Sequence, residues 1–143
     1  MMKIGIASDH GGFELKTFLF DFFNGTGQNI VDFGCYSTES VDYPDFAHKL
    51  CEELLSGNIN RGILICGTGL GMSITANRYK GIRAALANDL FSAIMSRRHN
   101  DSNVLVLGGR IIGKDLAVEI VKVWLEEPFE GGRHIRRINK TDR

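Results

Sequence analysis

Strand-like and helix-like segments alternate about five times along the chain, which predicts an α/β fold: a three-layer α/β/α sandwich around a mostly parallel, Rossmann-like five-stranded sheet. Two further observations agree. The clearest strand pattern, residues 62–66 (GILIC), is apolar at nearly every position, as a parallel strand covered on both faces must be. Glycine-rich or polar clusters follow the strand patterns at 9–12, in the loop up to Tyr43, at 67–71 and at Asn88-Asp89. In open α/β sheets ligands bind off the C-terminal strand ends, so these clusters are expected to converge on one edge.

The elements follow in order. Residues 3–8 (KIGIAS) predict a buried strand that runs into the polar loop DHGG. Residues 13–23 predict a helix with Glu14, Lys16 and Asp21 on its polar side and Asn24-Gly25 as the stop. Residues 29–33 read as a second strand, and 34–45 as a loop holding Pro44. Over 46–55 the spacing of Phe46, Ala47, Leu50, Cys51, Leu54 and Leu55 gives one helical face. After the strand at 62–66 and its GTGLG come a helix over 72–78, a strand over 82–87 and a helix over 90–97. A strand over 103–107 is closed by Gly108-Gly109. A long amphipathic helix over 112–126 buries Leu116, Ile120, Val123 and Trp124, and Pro128 and Gly131-Gly132 end it. One domain over 1–143 is expected, with 129–143 a basic C-terminal tail.

Bulk composition removes several classes of function. Apolar residues make up 43% and charged residues 24%, which is an ordinary soluble balance. Seventeen Lys and Arg against seventeen Asp and Glu give no net charge to attract nucleic acid or an anionic membrane. No run of eighteen apolar residues is present, so no membrane span is expected. The opening MMKIGIASDHGG reads as the first strand rather than a signal peptide. Three cysteines, Cys35, Cys51 and Cys66, form no metal-spaced set and no even framework, so a reducing, cytoplasmic compartment is expected. The histidines, His10, His48, His99 and His134, make no metal motif, and neither a metal nor another cofactor is expected.

Several constellations carry potential chemistry, each with a plainer reading beside it. In Cys66-Gly67-Thr68-Gly69-Leu70-Gly71, alternate glycines between strand and helix let backbone N–H groups turn toward an anion. A thiolate at Cys66 would be stabilised by the same amides; the plainer reading is a tight turn with a core cysteine. Asp9-His10 at a strand end suits sugar hydroxyls or a phosphate, or else a helix cap with an exposed histidine. His99, in RRHND, is suited to moving protons near neutral pH, or is a solvent-facing helix end. Arg110, Arg133 and Arg137, with His134, supply phosphate-gripping groups, and Arg133 and Arg137 share a face if their segment is helical. The plainer reading there is a solvated basic tail.

SDHGGFELK, VDYPDFA, GILICGTGLGMSITANRYKGIRAAL, SRRHNDSNVLVLGGRIIG and FEGGRHIRRI, in this order over essentially the whole chain, resemble the ribose-5-phosphate isomerase B family. That family also holds the galactose 6-phosphate and allose 6-phosphate isomerases. The resemblance implies an aldose–ketose isomerase interconverting D-ribose 5-phosphate and D-ribulose 5-phosphate through a cis-enediolate, in the non-oxidative pentose phosphate pathway. It implies Cys66 as the base, Thr68 and the backbone of Gly67, Gly69, Leu70 and Gly71 as the anion hole, and His99 as the acid/base that opens the ring. It further implies that Asp9, His10, Tyr43, Asn100, Arg110, Arg133 and Arg137 contact substrate, with His134 close by. Some members carry the base as a glutamate six residues beyond the cysteine position; Met72 stands there in this chain, which resembles the cysteine branch. The implied assembly is a homodimer, or a dimer of dimers, with sites built by both subunits. Two other readings stand: a six-carbon sugar phosphate as substrate, and a flavodoxin-like anion- or nucleotide-binding module.

Overall fold

A computed structural model describes residues 1–143. Five strands, β1 (Lys3–Ser8), β2 (Asn29–Asp32), β3 (Arg61–Cys66), β4 (Ala84–Leu86) and β5 (Val104–Gly108), form one sheet. Its order is β2-β1-β3-β5-β4, and every pairing is parallel. Six helices surround it: α1 (Phe13–Gly25), α2 (Tyr43–Leu55), α3 (Leu70–Ala76), α4 (Leu90–Arg98), α5 (Lys114–Glu126) and α6 (Arg133–Asn139). The three-layer sandwich expected from the sequence is thus the fold.

The central strand explains both cores. Successive side chains of β3 alternate between faces. Ile63 and Ile65 pack with Leu15 and Leu19 of α1 and with Ile120 and Trp124 of α5. Leu64 and Cys66 pack with Leu50 and Cys51 of α2 and with Met72 and Ala76 of α3. Cys66 therefore ends its strand facing the α2–α3 layer. The chain leaves β1 toward one sheet edge and builds β3, β5 and β4 on the other side. The switch point, where a crevice opens in such folds, lies between β1 and β3.

Boundaries differ from expectation in four places. α2 starts at Tyr43, three residues early, because Pro44 sits in the first turn, where a missing N–H costs nothing. α3 starts at Leu70, directly after Gly69. β4 shrinks to three residues because side chains cap it: Asn77 bonds both the N–H and the C=O of Ala84, and Asn103 Oδ1 accepts from Arg83 N–H. The expected basic tail contains α6, so Arg133 and Arg137 do stand one helical turn apart. No helix is long and apolar enough to cross a membrane.

Candidate active site

Two clusters hold the residues singled out in the sequence, and they lie at opposite ends of the sheet. The first surrounds Cys66 at the C-terminal ends of β1, β3 and β5. Cys66 is buried, at 5% exposure, and the N–H of Gly69 donates to its Sγ at 3.2 Å. Gly69 holds φ at +86°, a conformation side chains disfavour, and a Cβ there would fall 2.5 Å from Leu86 Cδ1. That turn aims the amide at the sulfur, and such a bond is stronger to a thiolate than to a thiol. Thr68 Oγ1 accepts from the Leu70 N–H at 3.2 Å, leaving its hydroxyl hydrogen free to donate.

The β5 turn is stitched onto this loop. Gly109 N–H donates to the Cys66 carbonyl at 2.8 Å, and Arg110 N–H to that of Gly67 at 2.9 Å. A Cβ on Gly67 would fall 3.4 Å from Arg110 Nη1, so the guanidinium lies against the glycine loop. Gly71 meets the ring of Tyr43, which leaves no room for a Cβ there. Asp9 caps the short turn after β1 by accepting from Gly12 N–H at 3.1 Å, as the plainer reading expected, yet it is buried against the β3 end. His10 Nδ1 accepts from Val41 N–H at 3.1 Å, which leaves Nε2 as its free edge. His10 and Arg110 line a cleft of about 230 Å³ with Gly11, Glu14 and Thr38.

A part-buried ion pair braces this end. Lys16, 1% exposed, donates to both Asp32 oxygens at 2.9 and 2.8 Å and to the Cys35 carbonyl. Asp32 also accepts from Gly34 N–H at 2.8 Å, fixing the start of the loop that brings Val41 to His10. Cys35 and Cys51 are buried, as core-filling cysteines should be. Burial, with Glu52 adding to it, pushes the Cys51 thiol up to about 12, out of range for chemistry at neutral pH.

The second cluster surrounds His99, which caps the C-terminus of α4. That helix runs back against the strands, so His99 lies where β5 begins, roughly 15 Å of strand length away from the Cys66 end. The His99 ring stacks on that of His134, with centroids 4.3 Å apart and planes at 15°. His134, on α6, is buried, and its Nε2 has no hydrogen-bond partner. Glu130 Oε1 lies 3.4 Å from that Nε2 and 3.7 Å from His99 Nε2. His99, Asn100, Arg133, His134 and Arg137 line one cleft of about 290 Å³. Arg98 pairs with Glu127 at 2.8 Å, which raises the arginine above its ordinary value and ties the end of α4 to the segment before α6.

Sequence reasoning puts Arg110 with Arg133, His134 and Arg137, whereas the structure sets Arg110 against the Cys66 loop and the other three around His99. It also misses Glu130, four residues before His134. The donor atoms of His99, Glu130 and His134 lie within 4.8 Å of one another, close enough for a divalent ion to be considered. Their nearly parallel ring planes aim the lone pairs side by side, and Arg133 and Arg137 share the cleft, an arrangement that suits an anion better.

Comparison with known proteins defines the class first. The chain is 44% identical over 138 residues to the ribose-5-phosphate isomerase B of Escherichia coli, covering 96% of this chain and 93% of that one. It superposes on a ribose 5-phosphate isomerase from Thermotoga maritima with a TM-score of 0.97 at 55% identity, covering 99% of this chain and 97% of that one. A ribose-5-phosphate isomerase B from Mycoplasma genitalium, with ribulose-5-phosphate bound, gives a TM-score of 0.91 at 40% identity, covering 97% and 93%. These are isomerases of phosphorylated sugars, and this chain is an enzyme of that class. A family model described as ribose/galactose isomerase matches residues 4–141, and the chain belongs to that family.

Proposed function

We propose that this chain interconverts D-ribose 5-phosphate and D-ribulose 5-phosphate in a homodimer, with each active site joining the Cys66 end of one subunit to the His99 end of the other. The observation that carries the reading is the division of the site. A single subunit holds a thiol in an amide nest at one end of the sheet and a histidine–arginine cleft at the other. Each lacks what the other supplies, and a second copy packed antiparallel across a two-fold axis completes both. α3 leaves Leu70 and Ile74, one turn apart, 56% and 61% exposed beside the nest, an apolar surface such a partner would cover.

The chemistry divides in the same way. In the cyclic aldose the C1 hydroxyl gives up its proton, the C1–O4 bond breaks, and O4 takes a proton. His99 can accept the first and return the second, so the step is proton-neutral. Arg133 and Arg137 hold the phosphate, the handle whose binding energy orients the reacting carbons. In the open chain the Cys66 thiolate removes the C2 proton, the hydroxyl proton on O2 passes to O1 of the enediolate, and the Cys66 thiol returns its proton to C1 as the C2 carbonyl forms. Between those transfers the charge sits on an enediolate oxygen, and the amides of the 67–71 loop with the Thr68 hydroxyl face that charge. They act on the transition state more than on bound sugar, which is what speeds the step.

Two measurements test this. Turnover should be fastest on ribose 5-phosphate, against allose 6-phosphate and galactose 6-phosphate, and lost with Cys66→Ala. A preference for a six-carbon substrate would keep the chemistry and move the substrate. Absence of turnover on all three from folded dimer would favour a binding module. Mixing Cys66→Ala and His99→Ala chains should restore about a quarter of wild-type turnover, because each mixed dimer regains one intact site. Sites contained within one chain would recover nothing.

A further inference from the structure

We infer that Glu130 is a positioning residue for ring opening: its carboxylate holds the stacked His99 and His134 rings and offsets the charge His99 takes up during that step. The inference deepens the reading above and rests on His99 as the ring-opening group.

One oxygen, Oε1, reaches the Nε2 edges of both rings, at 3.7 and 3.4 Å. The buried His134 has no other carboxylate within 4.0 Å and no hydrogen-bond partner at Nε2, and a buried ring nitrogen without one is costly. The neighbouring carboxylates are committed elsewhere, Glu127 to Arg98 and Asp101 to Arg83 and Arg97. Glu130 alone faces the histidines. It has no Lys or Arg partner, although Arg133 and Arg137 line the adjoining cleft. Its backbone is fixed in place, with Glu130 N–H donating to the Arg98 carbonyl at 3.0 Å, one residue before His99.

Ring opening requires His99 to carry an extra proton briefly while a second imidazole lies 4.3 Å away and two guanidiniums stand near. The substrate phosphate answers the guanidiniums that hold it, and Glu130 is the chain's own carboxylate at the His99 ring edge. A carboxylate facing the shared ring edge counters the charge on His99, and its field favours a hydrogen on Nε2, leaving the Nδ1 lone pair for the sugar. The same logic orients a histidine base through a carboxylate in hydrolytic triads.

The test separates ring opening from enolisation. Ribulose 5-phosphate has its C5 oxygen esterified and cannot close a five-membered ring through it, so exchange of its C1 hydrogen with D2O needs no ring opening. Glu130→Gln should lower turnover of ribose 5-phosphate about tenfold or more and leave the exchange rate on ribulose 5-phosphate within about twofold, with Glu130→Asp recovering part of the loss. Equal losses in both reactions would mean structural damage, and no loss in either would mean a bystander; both overturn the inference. His99→Ala in parallel must show the same split. If it does not while Cys66→Ala abolishes exchange, the assignment of His99 fails, and the role of Glu130 fails with it.

Discussion

The two ends of the sheet are built by different means. Around Cys66 the proposed working groups are backbone amides, held by a positive-φ glycine, by hydrogen bonds between adjacent strand turns and by a part-buried lysine–aspartate pair. Around His99 they are side chains on one helix end and one short helix, with His99 42% exposed and Glu130 47%. The difference matches the two tasks proposed for the ends. Charge developing on an enediolate is best met by dipoles that need no reorganisation. Opening a ring and gripping a phosphate call for a titratable group and forked donors, which only side chains provide.

Separating the two reactions tests this contrast most sharply. Cys66→Ala should abolish both isomerisation and C1 exchange on ribulose 5-phosphate, a loss of about a thousandfold or more, since it removes the proposed base from the amide nest. His99→Ala should slow ribose 5-phosphate about a hundredfold and spare the exchange. Deuterium incorporation followed by NMR reads both. If His99→Ala stopped exchange as completely as Cys66→Ala, the two ends would not divide the labour.

Much of this contrast was legible in the sequence, and the illegible part has a physical cause. GILICGTGLG announces its own geometry, because an apolar run that stops at alternating glycines has few ways to fold. The four-residue spacing of Arg133 and Arg137 gives a shared face only if the segment is helical, and the sequence reads as a basic tail where the structure has α6. The ion pair of Lys16 with Asp32 was illegible: Lys16 reads as the polar side of an amphipathic helix, and only the β2 crossing beneath it turns that position inward. Glu130 was equally silent, since its partners come from α4 and α6, which meet only in the folded chain. Residues 34–45, rich in Ser, Thr, Asp and Tyr and holding Pro44, read as a loop that includes Tyr43, although a proline in a first turn is compatible with helix.

Stability should be as uneven as the construction. Asp32→Ala strands Lys16, 1% exposed, with one carbonyl as its remaining partner, and should cost about 3 kcal/mol in chemical denaturation. Arg137→Ala, on a half-open cleft with no ion pair in the subunit, should change stability little while weakening phosphate binding, seen as a raised KM. Equal destabilisation by the two would mean that the Cys66 end is no better braced than the other.

The smallest expected effect concerns α4, which joins the two ends: Asp89 caps its start beside the C-terminal strand ends, and His99 ends it. The Asp89 carboxylate accepts from Ser92 N–H at 2.7 Å, and hydrogen bonds from the Ser92 backbone and hydroxyl, with a further one from Phe91 N–H, hold it below the usual carboxylate range. A group depressed on folding stabilises the folded state above its unfolded value and loses that contribution as pH falls through its lower folded value. Asp89→Ala should therefore lower Tm slightly at neutral pH, and the gap to wild type should narrow below about pH 4, where the unfolded carboxyl takes up its proton. Thermal melts of both proteins across that range read the gap directly. A gap that stayed constant in acid would mean that the cap acts through its shape rather than its charge, and that the rod between the two ends is insensitive to the ionisation at its start.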